Sequence, residues 1–381
     1  MPTLPDLIAT QIRSATRLPF HTFMDLALYH PEGGYYTTKA SVLGPTGDFI
    51  TSPHLGHDFG QLLAVQFADM WQQLGQPQPF HLVEMGAGQG LIAADALAYL
   101  QQQHPDCYAA LIYTIVEKSP LLRQHQEQRL SAHRVRWSTL EELPPVTGCL
   151  FSNELVDAFP VHIVEKHQGS LQEVYVTLGE DNSFQETLAP LSTDQILSYF
   201  DLIDIDLLSD AYPEGYRTEV NLDAPTWLDT VAAKLERGYL LTIDYGHTAP
   251  RYYSPARRQG TLKCYYQHRH HDDPYANVGQ QDLTTHVDFT ALERRGTQLG
   301  LESRFTQQGL LLMALGLGER VANLTQNLAP GPDGFNRLME RRQALHQLMD
   351  MGPMGLGTFG VLIQGKGVKD LDQLRGLTVP G

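Results

Sequence analysis

The stretch "HLVEMGAGQG", His81–Gly90, decides how the chain is read. An apolar run carrying an acid, Glu84, leads into glycines at 86, 88 and 90. This predicts a strand ending in a loop whose backbone comes close to a ligand, because glycine keeps side chains out of the way and tolerates left-handed backbone angles. The next residues, "LIAADALAYLQQQ", carry apolar groups at helical spacing. Two phosphate-binding readings fail on single residues. The dinucleotide fingerprint G-x-G-x-x-G needs a glycine at 91, where Leu91 stands, and no P-loop lysine follows.

Outward from the loop the pattern alternates. "LIYTIVEKS" reads as a strand, "PLLRQHQEQRL" as a helix with proline in its first turn, and "RVRWS" and "GCLFSNELVD" as further strands. Such a βαβαβ run predicts a mostly parallel sheet with right-handed crossovers. Residues 161–224 break the alternation with a predicted hairpin and helices, and "PTWLDTVAAKLERG" and "YLLTIDYG" resume it. The stretch 247–285 reads as irregular. "HVDFTALERRGTQLG" reads as a helix, "LESRFTQQGLLLMALG" as a strand and turn, and "FGVLIQGKG" as a last strand. The expected division is an N-terminal helical or lid region over 1–75, an α/β core over 76–160 and 225–365, and an α+β insertion over 161–224.

Composition narrows the function classes. Forty-three acidic against 27 basic residues give a net charge of −16. That argues against nucleic acid and anionic membranes, which are bound by basic surfaces. Three scattered cysteines, without CxxC spacing, argue against a disulfide framework and for a reducing compartment. No apolar run reaches the roughly 20 residues of a membrane span. The N-terminus lacks an apolar signal-peptide region, so the cytoplasm is the expected location.

At the carboxyl ends of the strands, where open α/β sheets bind ligands, four acidic residues stand out: Glu84, Glu117, Glu154 and Asp157. A carboxylate at Glu84 repels a pyrophosphate and attracts an ammonium. Glu117, closing the second strand, is placed to bind a ribose diol. Together with backbone approach at Gly86, Ala87, Gly88 and Gly90, this fits S-adenosylmethionine, a nucleoside with a cationic amino-acid part and no phosphate. Helix capping is the structural alternative for Glu117. "SNELVDAF", Ser152–Phe159, supplies Asn153, Glu154 and Asp157, a set able to hold and deprotonate a cationic acceptor; a helix cap is the structural alternative for Asp157. "TGDFITSP" is expected to form a flap, with Asp48 and Thr51 toward the donor. "YYQHRHHDDPY", Tyr265–Tyr275, is dense in histidine but lacks convergent ligand spacing, so no metal is expected.

Six blocks carry a family resemblance: "LYHPEGGYY" (28–36), "GDFITSP" (47–53), "VEMGAGQG" (83–90), "SNELVDAFPV" (152–161), "IDYG" (243–246) and "GQQDLTTHVDF" (279–289). In this order they resemble the MidA-like proteins, a family that includes the arginine-methylating assembly factor of mitochondrial complex I. The resemblance implies a class I methyltransferase (Rossmann-like) fold with a seven-stranded sheet whose last strand is antiparallel. It also implies S-adenosyl-L-methionine as donor and protein arginine as acceptor, with a subunit of a respiratory or NAD(P)H dehydrogenase complex as the implied partner. Both a monomer and a homodimer are compatible with it. A small-molecule methyltransferase and a non-enzymatic assembly chaperone on the same fold are the alternatives. The chain departs from the family at Met85, Ala87 and Gln89 within the loop, and at His54, where the family usually has an acid.

Overall fold

The computed structural model describes residues 2–38, 51–267, 269–324, 332–352 and 355–378. The chain divides into two compact units. The first comprises Met1–Phe49, Val156–Asp229 and Gly246–Arg295; the second comprises Ile50–Leu155, Thr230–Tyr245 and Gly296–Gly381.

The second unit is built on a seven-stranded sheet. Its strands are β1 (Phe80–Met85), β2 (Leu111–Val116), β3 (Val135–Ser138), β4 (Val146–Asn153), β5 (Leu235–Asp244), β6 (Glu302–Gln307) and β7 (Gly360–Lys366). Their spatial order is β6-β7-β5-β4-β1-β2-β3. β7 is antiparallel to both neighbours, and the pairs among β1 to β5 are all parallel. This is the expected class I arrangement. The order reverses between β1 and β4, so the loops leaving those two strands open at the switch point. Both strands are buried along almost their whole length, as expected where helices cover both faces of such a sheet. Phe67, on the helix Asp58–Gln73, packs against Phe151 of β4 with ring centroids 4.9 Å apart. That helix is anchored at its first residue. The side chain of Asp58 is buried and accepts hydrogen bonds from Arg320 at 2.7 Å and from Arg341 at 2.8 Å.

The first unit is α+β. Ser170–Leu178 pairs antiparallel with Leu18–Pro19, His162–His167 and Phe184–Ala189, and His162–His167 pairs in turn with Arg217–Val220. The helices Leu4–Ala15 and Phe20–Tyr29 pack on this sheet through Ile8, Ile12, Phe20, Phe23 and Met24, against Ile163, Val174 and Val176. Thr3 and Asp6 form a reciprocal capping box that starts the first helix.

Two segments differ from expectation. The stretch read as irregular contains an antiparallel sheet of Lys263–Tyr266, Arg269–His271 and Asp282–Thr284; its strands are too short to show a period of two. The turn expected after β6 is the helix Gln308–Ala314. Its Leu-Leu-Leu-Met run gives no periodicity, and leucine and methionine are helix formers.

The clasp on Asp58 yields a stability prediction. Burial raises its pKa, but hydrogen bonds from Arg341 and Arg320 outweigh this and hold it below the ordinary value of 3.8. Its contribution is therefore kept near neutral pH and lost as pH falls through that lowered pKa. Asp58→Ala leaves two guanidinium groups facing a partly buried void. It is expected to cost about 3 kcal/mol, read as a lower Tm at neutral pH; an unchanged Tm refutes the anchoring role.

Candidate functional site

The parallel strands of the second unit end level. Met85 lies opposite Val116 and Ser152, and Asn153 opposite Ile243. The loops beginning at Gly86, Glu117, Glu154 and Tyr245 therefore leave one edge of the sheet side by side. Gly86, Gly88 and Gly90 all have left-handed backbones, with φ of 69°, 52° and 74°. A Cβ at Gly86 lies 2.7 Å from Leu155 Cδ1, nearer than real carbon contacts allow. Gly90 caps the helix Leu91–Gln103, and its amide donates to the Ala87 carbonyl at 2.7 Å. The loop is a tight backbone cradle, as its glycines predict.

Glu84 requires a correction. The sequence places its carboxylate at the mouth of the loop, but the structure buries it to 2 % exposure, where the Tyr113 hydroxyl of β2 donates to it at 2.6 Å. Strand alternation accounts for this: Glu84 is still inside β1, and its side chain points into the layer that Tyr113 occupies. Burial pushes its carboxyl up to about 7, the Tyr113 bond works against this, and the charge of Glu117 adds to it. Glu117 lies at the expected strand end. One of its oxygens accepts from the Ser119 amide at 2.9 Å and the other from Gln126 Nε2 at 3.0 Å. Burial raises its pKa, and these bonds oppose the rise.

At the end of β4, Glu154 has φ +52°, a left-handed conformation uncommon for a residue with a side chain. Its amide donates to the Ile243 carbonyl at 2.9 Å. Its Oε1 accepts from Asn153 Nδ2 at 3.0 Å and from the Ser52 amide at 3.4 Å. Asn153 Oδ1 is buried without a hydrogen-bond partner among the described residues. Asp244 accepts the amides of Tyr245 and Leu155, pinning the loops after β5 and β4. Thr51 and His54 share a 2.6 Å hydrogen bond. Asp48 lies outside the described residues.

Asp157 belongs to the first unit, where three of the sequence blocks meet. Its carbonyl accepts the Thr285 amide at 3.0 Å. Tyr29, on the first block, donates to the Ala158 carbonyl and stacks on Tyr36 at 5.7 Å. Tyr36 donates to the fully buried Asp282 at 2.9 Å. Burial, followed by the charges of Asp282 and Asp157, pushes the Tyr29 and Tyr36 phenols well above their usual range. The two carboxylates thus lie among tyrosines within one unit. Among the described residues no three His, Cys, Asp or Glu side chains converge as metal ligands.

The edge of the second unit fits a nucleoside methyl donor. The glycine cradle excludes side chains, Glu117 retains acceptor capacity beyond its present bonds, and Asn153 offers an unused buried acceptor. Sequence reasoning missed Gln126 and Trp137, which are joined to Glu117 through hydrogen bonds.

The perturbation of Glu84 is open to test. Its folded pKa of about 7 lies above the ordinary 4.5, so the stability it contributes is fully present below pH 4.5 and lost as pH rises through about 7. Asp288 in the first unit, also pushed to about 7 by burial, adds a separate share. Glu84→Gln keeps an acceptor for Tyr113 and is expected to remove part of the decline in Tm between about pH 4.5 and pH 7. Identical slopes in variant and parent refute a raised Glu84.

Residues 62–306 match the family described as "Putative S-adenosyl-L-methionine-dependent methyltransferase". The chain is 30% identical over 314 residues to the mitochondrial protein arginine methyltransferase NDUFAF7 homolog of Drosophila melanogaster, covering 75% of this chain and 68% of that one. It is 26% identical over 349 residues to the mitochondrial protein arginine methyltransferase NDUFAF7 of Danio rerio, covering 85% and 79%. The crystal structure of a Burkholderia thailandensis protein bound to S-adenosyl-homocysteine superposes with a TM-score of 0.85 at 30% identity, over 98% of this chain and 94% of that one. Matched by the family over more than half its length, the chain belongs to these S-adenosyl-L-methionine-dependent methyltransferases.

Proposed function

We propose that this methyltransferase acts on the guanidinium group of a protein arginine, with Asn153, Glu154 and Asp157 as the acceptor set. The observation that carries the reading is the backbone of Glu154. A left-handed non-glycine residue costs about 1 kcal/mol or more and persists where the surroundings over-determine it. Here the Ile243 carbonyl, Asn153 and Ser52 hold it at the switch point of the sheet. Asp157 follows three residues later, so at most about 11 Å of chain separates the two acids. The names of the relatives support an arginine acceptor.

When bound, the donor supplies an electrophilic methyl on a sulfonium sulfur. The chain supplies placement and proton transfer. The backbone of Gly86, Ala87, Gly88 and Gly90 takes the amino-acid part of the donor, and Glu117 takes its ribose diol. Glu84, buried behind the loop, favours the ammonium electrostatically. Asp48 and Thr51 stay assigned to the donor side by their place in the sequence. An arginine side chain is protonated at every physiological pH and is a poor nucleophile in that state. Glu154 and Asp157 hold it by charge-assisted hydrogen bonds, turn one nitrogen toward the methyl and accept the proton it loses.

The setting we propose is a reducing aqueous compartment, with the cytoplasm as first expectation. All three cysteines are buried and free, and no helix among the described residues is long and apolar enough to cross a membrane. The proposed partner is a protein with an accessible arginine, of the respiratory or NAD(P)H dehydrogenase type implied by the sequence blocks.

The test is transfer of labelled methyl from S-adenosylmethionine into a cell lysate, followed by acid hydrolysis of the protein fraction. Label is expected in methylarginine. Label confined to small molecules, or no transfer at all, overturns the reading. Glu154→Gln is expected to lower kcat by about 10²- to 10³-fold while S-adenosyl-homocysteine still raises Tm; unchanged kcat removes Glu154 from the acceptor set.

A further inference from the structure

We propose that Gln126 is a positioning residue for the donor's ribose: it ties the glycine loop to Glu117, and Trp137 fixes its orientation. The inference rests on the donor reading of Glu117 given above.

Gln126 interrupts an apolar stripe. On the helix Pro120–Arg129 the buried positions are Leu122 and Gln126, and Leu130 continues the four-residue spacing into the core. A glutamine in that row, 0 % exposed, is costly unless its amide is fully bonded. It is bonded at both ends. Nε2 donates to the Gly88 carbonyl at 2.8 Å and to Glu117 Oε2 at 3.0 Å, and Oε1 accepts from Trp137 Nε1 at 2.9 Å. The Gln126 side chain also lies beneath the last loop glycine, where a Cβ on Gly90 comes within 3.4 Å of its Cγ.

The chemistry of these groups leaves one orientation. An indole N–H only donates, so the amide oxygen must face Trp137. Both amide hydrogens then face the loop carbonyl and the carboxylate. The reversed amide sets an oxygen against two acceptors and a nitrogen against a donor. Trp137 is itself held on its strand beneath Arg123, whose guanidinium lies 5.9 Å from the indole ring. An amide hydrogen also requires an acceptor at Glu117 Oε2, so Gln126 favours the ionised carboxylate against the upward push of burial. The ionised carboxylate is an acceptor at both oxygens and can take one hydrogen bond from each hydroxyl of a ribose, whereas protonation turns one oxygen into a donor. Gln126 thus fixes the charge, rotamer and distance of Glu117 relative to the backbone cradle at Gly88.

The experiment compares Kd for S-adenosyl-homocysteine with Kd for its 2′,3′-dideoxyribose analogue, by calorimetry on the full chain. The ratio of the two measures recognition of the diol and is insensitive to a general loss of fold. Wild type is expected to prefer the diol by tenfold or more, as a charge-assisted pair of bonds warrants. Glu117→Gln should bring the ratio near one. Gln126→Glu keeps the shape and the Trp137 bond but turns an oxygen toward Glu117, and should also bring the ratio near one. Adding it to Glu117→Gln should change the ratio no further. Trp137→Phe should give an intermediate ratio. If Glu117→Gln loses the preference while Gln126→Glu keeps it within twofold of wild type, Gln126 is packing alone and the inference falls, leaving the donor reading intact. If Glu117→Gln itself keeps the preference, the ribose assignment fails and takes the inference with it. Should Gln126→Glu not fold, Trp137→Phe decides, and an unchanged ratio there overturns the proposal.

Discussion

Parallel strands joined by right-handed crossovers must all finish on the same edge of their sheet, and the features of the proposed donor site follow from that constraint. β1, β2, β4 and β5 reach that edge in register. Short segments that leave them therefore bring Gly86, Glu117, Asn153 and Glu154 together without a dedicated scaffold. The reversal of strand order between β1 and β4 opens the space for a ligand. Residue chemistry then decides which ligand. Left-handed glycines leave room for a close backbone approach, Leu91 and the missing lysine disfavour phosphates, and Glu117 is the carboxylate we propose for the ribose diol.

Much of this was legible because it rests on local signals. A strand, three spaced glycines and an apolar-periodic helix are readable in one window, and the parallel pairing of the strands follows from their alternation with helices. What escaped the sequence depends on which way a side chain faces. Glu84 looked like a mouth residue because it adjoins the loop, yet it is the last but one residue of β1 and its side chain enters the layer filled by Tyr113. Gln126 gave a weak local signal, a polar residue in an apolar row, but its three partners come from three other segments. No spacing rule links Gly88, Glu117 and Trp137 to it.

The residues of the proposed acceptor set are adjacent in sequence but divided in the fold. "SNELVDAF" reads as one motif, while the fold assigns Glu154 to one compact unit and Asp157 to the other. Asp157 shares its unit with Tyr29, Tyr36 and Asp282, which come from blocks over a hundred residues away on either side. Three of the six sequence blocks are therefore separate parts of one tertiary cluster, and long-range pairing such as that of Thr285 with Asp157 holds them together.

The glycine loop has an evolutionary consequence. Every missense change at a glycine codon adds a Cβ, and positions 86, 88 and 90 each have the positive φ that L-residues rarely adopt. None of the three has a mild neighbour in sequence space. At Gly86 a Cβ also meets the tip of the Leu155 side chain, which must shift to make room. Single-step drift at these codons therefore always strains the backbone of the cradle.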